Sequence, residues 1–108
     1  MQPLLVLCAC PTREHAQTIA RSLVEHHLAA CVNLLPAVQS IYRWQGGIET
    51  AEETLLLIKT RAERLEELKV HVLMLHPYEL PEIIAVTIDS GLDRYLQWIG
   101  DETRATDA

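Results

Sequence analysis

Leu4-Leu5-Val6-Leu7-Cys8-Ala9-Cys10 is an unbroken apolar run between Pro3 and Pro11. Its length suits a buried strand, since helices generally run to about ten residues or more and proline punctuates both ends. Successive side chains of a strand point to opposite faces, so Leu4, Val6 and Cys8 share one face while Leu5 and Leu7 share the other. Both faces are therefore apolar. The pattern repeats at Thr54-Leu55-Leu56-Leu57-Ile58-Lys59, where Leu55 and Leu57 oppose Leu56 and Ile58. It appears again at Ile83-Ile84-Ala85-Val86-Thr87-Ile88, where Ile84, Val86 and Ile88 oppose Ile83 and Ala85.

Between these runs lie the helical signals. Thr12 can cap a helix, with Glu14 well placed against its dipole, and Ala16, Ile19, Ala20, Leu23 and His27 form one apolar face ending near Leu28. Ala30 to Trp44 reads as one long strand bent at Pro36, which has no N–H for the ladder. Gln45-Gly46-Gly47 predicts a hairpin turn in which the adjacent glycines take positive φ, and the return strand runs from about Ile48 to Thr60. Thr60-Arg61-Ala62-Glu63 has the form of a capping box, followed by Leu65, Leu68, Val72 and Leu75 as the buried face of a second helix. The connector His76 to Glu82 holds two prolines, and Gly91 separates the last strand from a short helix marked by Leu92, Tyr95, Leu96 and Ile99. Asp101 to Ala108 is polar and small, and is expected to fray.

The order β-α-β-β-α-β, with one helix added at the C-terminal end, predicts a single α+β domain of the ferredoxin-like kind, its ordered core spanning about 4–99. In such a sandwich two helices cover one face of an antiparallel sheet. A sheet with its other face in water should alternate apolar with polar residues, and this one does not. Each Leu or Ile left in water forgoes about 1.5–3 kcal/mol, so the second face calls for another subunit and the chain is expected to be an obligate homo-oligomer. Coupling of folding to assembly further predicts high stability that falls on dilution.

Composition narrows the function. A net charge of −6, from 9 basic and 15 acidic residues, argues against an extended nucleic-acid footprint and against docking on an anionic membrane. No run approaches the roughly 20 apolar residues of a membrane span, and nothing reads as a signal peptide. Cys8, Cys10 and Cys31 leave one thiol over in any disulfide scheme, which favours reduced thiols and a cytoplasmic setting. Cys8 and Cys10 face the same side of their strand, but their spacing is not that of a Cys-x-x-Cys half-site. Nucleophile-elbow, phosphate-loop, dinucleotide and His-Glu-x-x-His motifs do not occur, so no enzyme is predicted. His15, His26 and His27 lack i,i+4 spacing and read as a solvated helix face, and the pairs Glu52-Glu53 and Glu66-Glu67 read as surface charge.

Five blocks carry a resemblance: Leu28-Ala29-Ala30-Cys31-Val32-Asn33, Ser40-Ile41-Tyr42-Arg43-Trp44-Gln45-Gly46, Ile58-Lys59-Thr60, His76-Pro77-Tyr78-Glu79-Leu80-Pro81-Glu82-Ile83 and Tyr95-Leu96-Gln97-Trp98-Ile99. In this order, and in one register from about Leu4 to Ile99, they resemble the CutA divalent-cation tolerance proteins. The resemblance implies a homotrimer similar in assembly to the PII signalling proteins, its hairpin strands crossing subunit boundaries and its third helix helping to close the interface. It also implies a part in tolerance of divalent metals, copper above all.

By this resemblance Cys8 on the first strand and His76 at the head of the His-Pro-Tyr block are the metal candidates. Thiolate is a soft ligand suited to Cu(I), and imidazole suits copper and zinc. Plain alternatives stand beside them. Free cysteine is among the most buried residue types, and a histidine at a helix C-terminus interacts with the last carbonyls. Leu75 stands where some members have a second histidine, which removes one possible ligand. Cys31, Trp44, Lys59, Tyr78 and Glu82 fall in matched blocks and are candidates for lining a cleft between subunits, with packing, or a Lys59–Glu82 pair, as the simpler account. Two further functions remain open: a PII-like module binding a small ligand at such clefts, and a non-catalytic scaffold for another protein.

Overall fold

The computed structural model describes residues 1–105. Strand β1 spans Pro3–Cys10, helix α1 Arg13–Glu25, β2 Cys31–Trp44, β3 Gly47–Arg61, α2 Leu65–Leu75, β4 Ile84–Thr87 and α3 Asp93–Glu102, with a 3₁₀ turn at Ala62–Arg64 before α2. The four strands form one antiparallel sheet in the order β2-β3-β1-β4, which is the α+β ferredoxin-like sandwich with an added helix.

The register sorts the sheet residues by face. Val6 pairs with Ile58 and Cys8 with Leu56, and these pack under the apolar stripes of α1 (Ala16, Ile19, Ala20, Leu23) and α2 (Leu68, Val72) as the core. On the other face Leu5 pairs with Val86 and Lys59, and Leu7 with Ile84 and Leu57. Within the single chain that face stays open: Ile84 is 57% and Val86 54% exposed. Helix α3 lies towards it, through the contact of Tyr95 with Lys59. No helix among the described residues is long and apolar enough to cross a membrane.

Several local signals act as expected. The Thr12 hydroxyl accepts the His15 N–H at 3.1 Å, capping α1. The β2–β3 register shifts between Leu35 and Val38, around Pro36, and Ala37 takes φ +57° there.

Others act differently. The hairpin turn is Gln45-Gly46, with φ +48° and +84°, so Gly47 already belongs to β3 and only one glycine takes positive φ. Helix α1 stops at Glu25 rather than near Leu28, because His27 adopts φ +57° and two backbone bonds close the end. Leu28 N–H donates to Leu23 O at 2.9 Å, and His27 N–H to Val24 O at 3.1 Å. The capping box does not form. Thr60 is still in β3, and its hydroxyl donates to the Leu28 carbonyl at 2.7 Å instead of capping. Leu75 is exposed at the end of α2, and β4 is two residues shorter than the apolar run that marks it. The fraying expected from Asp101 falls partly on residues 106–108, outside the described residues. Before them, Asp101 and Glu102 continue α3, and buried Thr103 donates to Ile99 O at 2.7 Å.

Candidate metal centre

Cys8 and Cys10 end β1 on its helix-covered face and are wholly buried. Helix α2 delivers the third side chain. Pro77 prevents the helix from continuing, and His76, as its C-cap, turns into the core with its own N–H still bonded to Val72 O at 2.8 Å. The sulfurs of Cys8 and Cys10 and a ring nitrogen of His76 all lie within 4.8 Å of one another.

Hydrogen bonds fix the imidazole. Nε2 lies 2.8 Å from the carbonyl of Ala9, the residue between the two cysteines, and Tyr78 N–H points to Nδ1 at 3.1 Å. A carbonyl can only accept and an N–H can only donate, so these partners assign a neutral ring with its proton on Nε2. The neighbouring Cys10 thiol first, and burial second, push Cys8 well above the ordinary thiol range. The same interaction draws Cys10 down, with burial opposing.

A carboxylate sits behind the ring. Glu53, which the sequence places among surface charges, is buried and accepts a 2.7 Å bond from the Tyr78 hydroxyl. Burial first, then this bond to Glu53, raise the Tyr78 phenol above its usual value. The Tyr78 and His76 rings are 4.8 Å apart, so Tyr78 joins the connector to both the imidazole and β3.

Of the residues singled out from the sequence, Cys8, His76 and Tyr78 come together here, and Glu82 lies close enough for its charge to disfavour a Cys8 thiolate. Cys31 and Lys59 do not join them. They are register partners on the opposite sheet face, where Lys59 donates to the Tyr95 hydroxyl at 3.2 Å rather than to Glu82. Trp44 lies at the hairpin tip, opposite Gly47. Cys10 is the site residue the metal candidates omitted, although the i,i+2 spacing had already put it beside Cys8. His26 and His27 are not merely solvated: the His26 ring lies 4.7 Å from that of His71, and His27 Nδ1 is 3.1 Å from Glu102 O.

The donor set suits a soft metal ion, with two thiols, one imidazole and no carboxylate in the cluster. Because both imidazole nitrogens are engaged, His76 could ligate only by giving up one of its two bonds.

An antiparallel α+β sandwich with a buried thiol–imidazole cluster under its helices is the class of protein that fold and site define. Residues 4–102 match the model of the CutA1 divalent ion tolerance protein family, and the chain belongs to that family. It is 48% identical over 99 residues to the divalent-cation tolerance protein CutA of Thermus thermophilus, covering 92% of this chain and 96% of that protein. The chloroplastic CutA of Arabidopsis thaliana is 44% identical over 94% of this chain, which spans 56% of that longer relative. Among solved structures, the Thermus thermophilus CutA1 superposes with a TM-score of 0.93 at 47% identity, over 94% of this chain and 99% of the other. A Nostoc structure described as a PII-like protein CutA superposes at 0.87 and 40% identity, over 98% of this chain and all of that one.

Proposed function

We propose that this chain is a non-catalytic, homotrimeric metal-binding protein of the cytoplasm, which holds copper or another divalent cation at Cys8 and His76 and contributes to tolerance of metal ions. The convergence of Cys8, Cys10 and His76 in one buried cluster carries this reading. The family description agrees with it. Three free cysteines favour a reducing compartment, although the Arabidopsis relative is named chloroplastic. The open apolar face of the sheet supports assembly, because a monomer would leave Ile84, Val86 and their neighbours in water.

Calorimetric titration of the purified protein with Cu(II) and with Zn(II) tests the metal reading. Saturable binding near one ion per chain, weakened in Cys8→Ser and in His76→Ala, is the expected outcome. Heats indistinguishable from dilution with both ions would reject it. The alternative is a PII-like module that takes a small ligand at intersubunit clefts lined by Cys31, Trp44, Lys59, Tyr78 and Glu82. The Nostoc relative's description and the cationic end of Lys59, which meets the Tyr95 hydroxyl on the open face, favour it. A thermal-shift screen of small anions and nucleotides that moves the wild type but not Lys59→Ala would support that reading.

A further inference from the structure

A second group of donors lies where α1 ends against α2. His26, the C-cap of α1, and His71, on α2, bring their ring centres to 4.7 Å, with the planes tilted by 50°. Ser22, one turn back in α1, holds both rings. Its carbonyl accepts from His26 Nδ1 at 2.8 Å, which fixes the proton on that nitrogen and leaves Nε2 with a lone pair. Its hydroxyl oxygen lies 2.6 Å from His71 Nε2 and, accepting there, leaves the His71 lone pair on Nδ1. Among the described residues nothing is hydrogen-bonded to His26 Nε2 or His71 Nδ1. Burial, and then the neighbouring imidazole, lower the His71 pKa, so its ring is uncharged near neutral pH. Metal-ligating histidines share this arrangement: one nitrogen is tied to an oxygen and the other is left for the ion.

Two imidazoles on one ion, at about 2.0–2.1 Å per nitrogen, hold their ring centres about 5 Å apart, close to the separation of His26 and His71. Glu67 stands one turn before His71 on α2, at the i,i+4 spacing that puts both on one helix face, and it lines the same groove as the two rings. Its side chain is 70% exposed and meets Arg64 at 3.3 Å, a pair that contributes little, so the carboxylate is free to turn to the rings. Arg64 then keeps its bonds to the His26 and His27 carbonyls. Two imidazoles, one carboxylate and water form a donor set that zinc takes, whereas calcium and magnesium call for oxygen. We propose that His26 Nε2, His71 Nδ1 and Glu67 form a second metal site, for Zn(II), in the open groove between α1 and α2, with water in the remaining position. It shares no residue with the buried cluster of Cys8, Cys10 and His76, and its outcome is independent of that cluster. The ligand nitrogens are unprotonated, so Zn(II) replaces water there and displaces no proton from either ring.

The test is titration of the purified protein with Zn(II) against a chromogenic zinc chelator, for wild type, His26→Gln, His71→Gln and Cys8→Ser. Expected is a second, weaker Zn(II) per chain beyond the first. Its affinity should fall at least about tenfold in each histidine variant and stay unchanged in Cys8→Ser. Nitrogen-15 NMR of the wild type requires no variant: Zn(II) should move His26 Nε2 and His71 Nδ1 while His26 Nδ1 keeps its proton. A single ion per chain, lost in His26→Gln and kept in Cys8→Ser, would likewise place zinc in the groove and would reject only the Cys8–His76 reading. Equal affinity for every bound ion in wild type and both histidine variants, or imidazole shifts confined to His76, would overturn the inference and leave the Cys8–His76 reading standing. A wild type that takes up no Zn(II) would overturn it as well.

Discussion

The hydroxyl of Tyr78 donates to the buried carboxylate of Glu53 at 2.7 Å, and this bond ties the proline-rich connector after α2 to the middle of β3. The same tyrosine presents its backbone N–H to His76, so the pair stabilises the ring beside the cysteines from two directions. A buried carboxylate left without its donor retains the full cost of desolvation, about 1–3 kcal/mol and more where it stays charged. Tyr78→Phe keeps the ring contact and removes only the hydroxyl. It should lower stability by about 1–3 kcal/mol in urea unfolding, and adding Glu53→Gln to the Tyr78→Phe variant should restore part of that loss. Equal unfolding midpoints for wild type and Tyr78→Phe would show that the bond contributes nothing.

Thr60 offers a cleaner hydrogen-bond measurement. Its side chain is wholly buried, and its hydroxyl donates to the Leu28 carbonyl at 2.7 Å, fastening β3 to the segment that enters β2. Thr60→Val preserves shape and β-branching while leaving Leu28 O without that donor. A loss of about 1–2 kcal/mol is expected from equilibrium denaturation. Thr60→Ser, which keeps the hydroxyl, should lose less.

These two contacts mark where sequence reading stops. The strands were legible because Leu4 to Cys10 and Thr54 to Lys59 are unbroken apolar runs with proline or polar ends, and the kink near Pro36 follows from its missing N–H. Thr60 and Glu53 misled for one reason: each local pattern was genuine, but a distant group claimed the side chain. Leu28 O took the hydroxyl that a capping box would use, and Tyr78 took the carboxylate that read as surface charge. The site was half legible. Strand alternation put Cys8 and Cys10 on one face, whereas the approach of His76 depends on how α2 docks, which no periodicity encodes. Cys10 escapes motif reading because its i,i+2 spacing matches no Cys-x-x-Cys half-site, although strand geometry puts it on the same face as Cys8.

Ala37 carries strain of a readable kind. It is exposed in the β2 irregularity with φ +57°, in the left-handed region that disfavours a residue with a Cβ by about 1–2 kcal/mol. Ala37→Gly relieves that strain but adds backbone freedom to the unfolded chain, which offsets about 0.4–1 kcal/mol. A net gain of up to about 1 kcal/mol should appear as a higher denaturation midpoint. A lower midpoint would mean that the methyl group makes a contact in the assembled protein.

His71 predicts a pH effect. Burial first, and the neighbouring His26 second, lower its pKa from the ordinary 6.5. Its surroundings are mixed: Ser22 Oγ is 2.6 Å from its Nε2, and Arg64, Glu66, Glu67 and His26 line the same groove. Above about pH 7.5 His71 is neutral in both folded and unfolded chains and adds no pH dependence. As pH falls through about 6.5 the unfolded chain takes up the proton first, so stability falls until the lowered folded value is passed, and then levels off. The urea midpoint should drop between about pH 7.5 and 5.5, and the drop should be smaller in His71→Gln. An identical drop in both proteins would place the titrating group elsewhere.

The open sheet face makes the largest prediction. Leu57 lies near its centre, paired with Leu7 on one side and Asn33 on the other, on the face that carries Ile84 and Val86. If three chains close over this face, Leu57→Glu would place a carboxylate where each apolar side chain otherwise contributes about 1.5–3 kcal/mol, and burying it unpaired is more costly still. In the single chain Leu57 is only half-buried, so a monomer could hydrate the same carboxylate at little cost. The two situations therefore separate in solution. Sedimentation equilibrium should give a trimer for the wild type and predominantly monomer for Leu57→Glu. The wild-type melting temperature should rise with protein concentration, while that of the variant should be lower and independent of it. A variant that keeps the trimer mass would show that subunits meet elsewhere and that the apolar face is covered by some other partner.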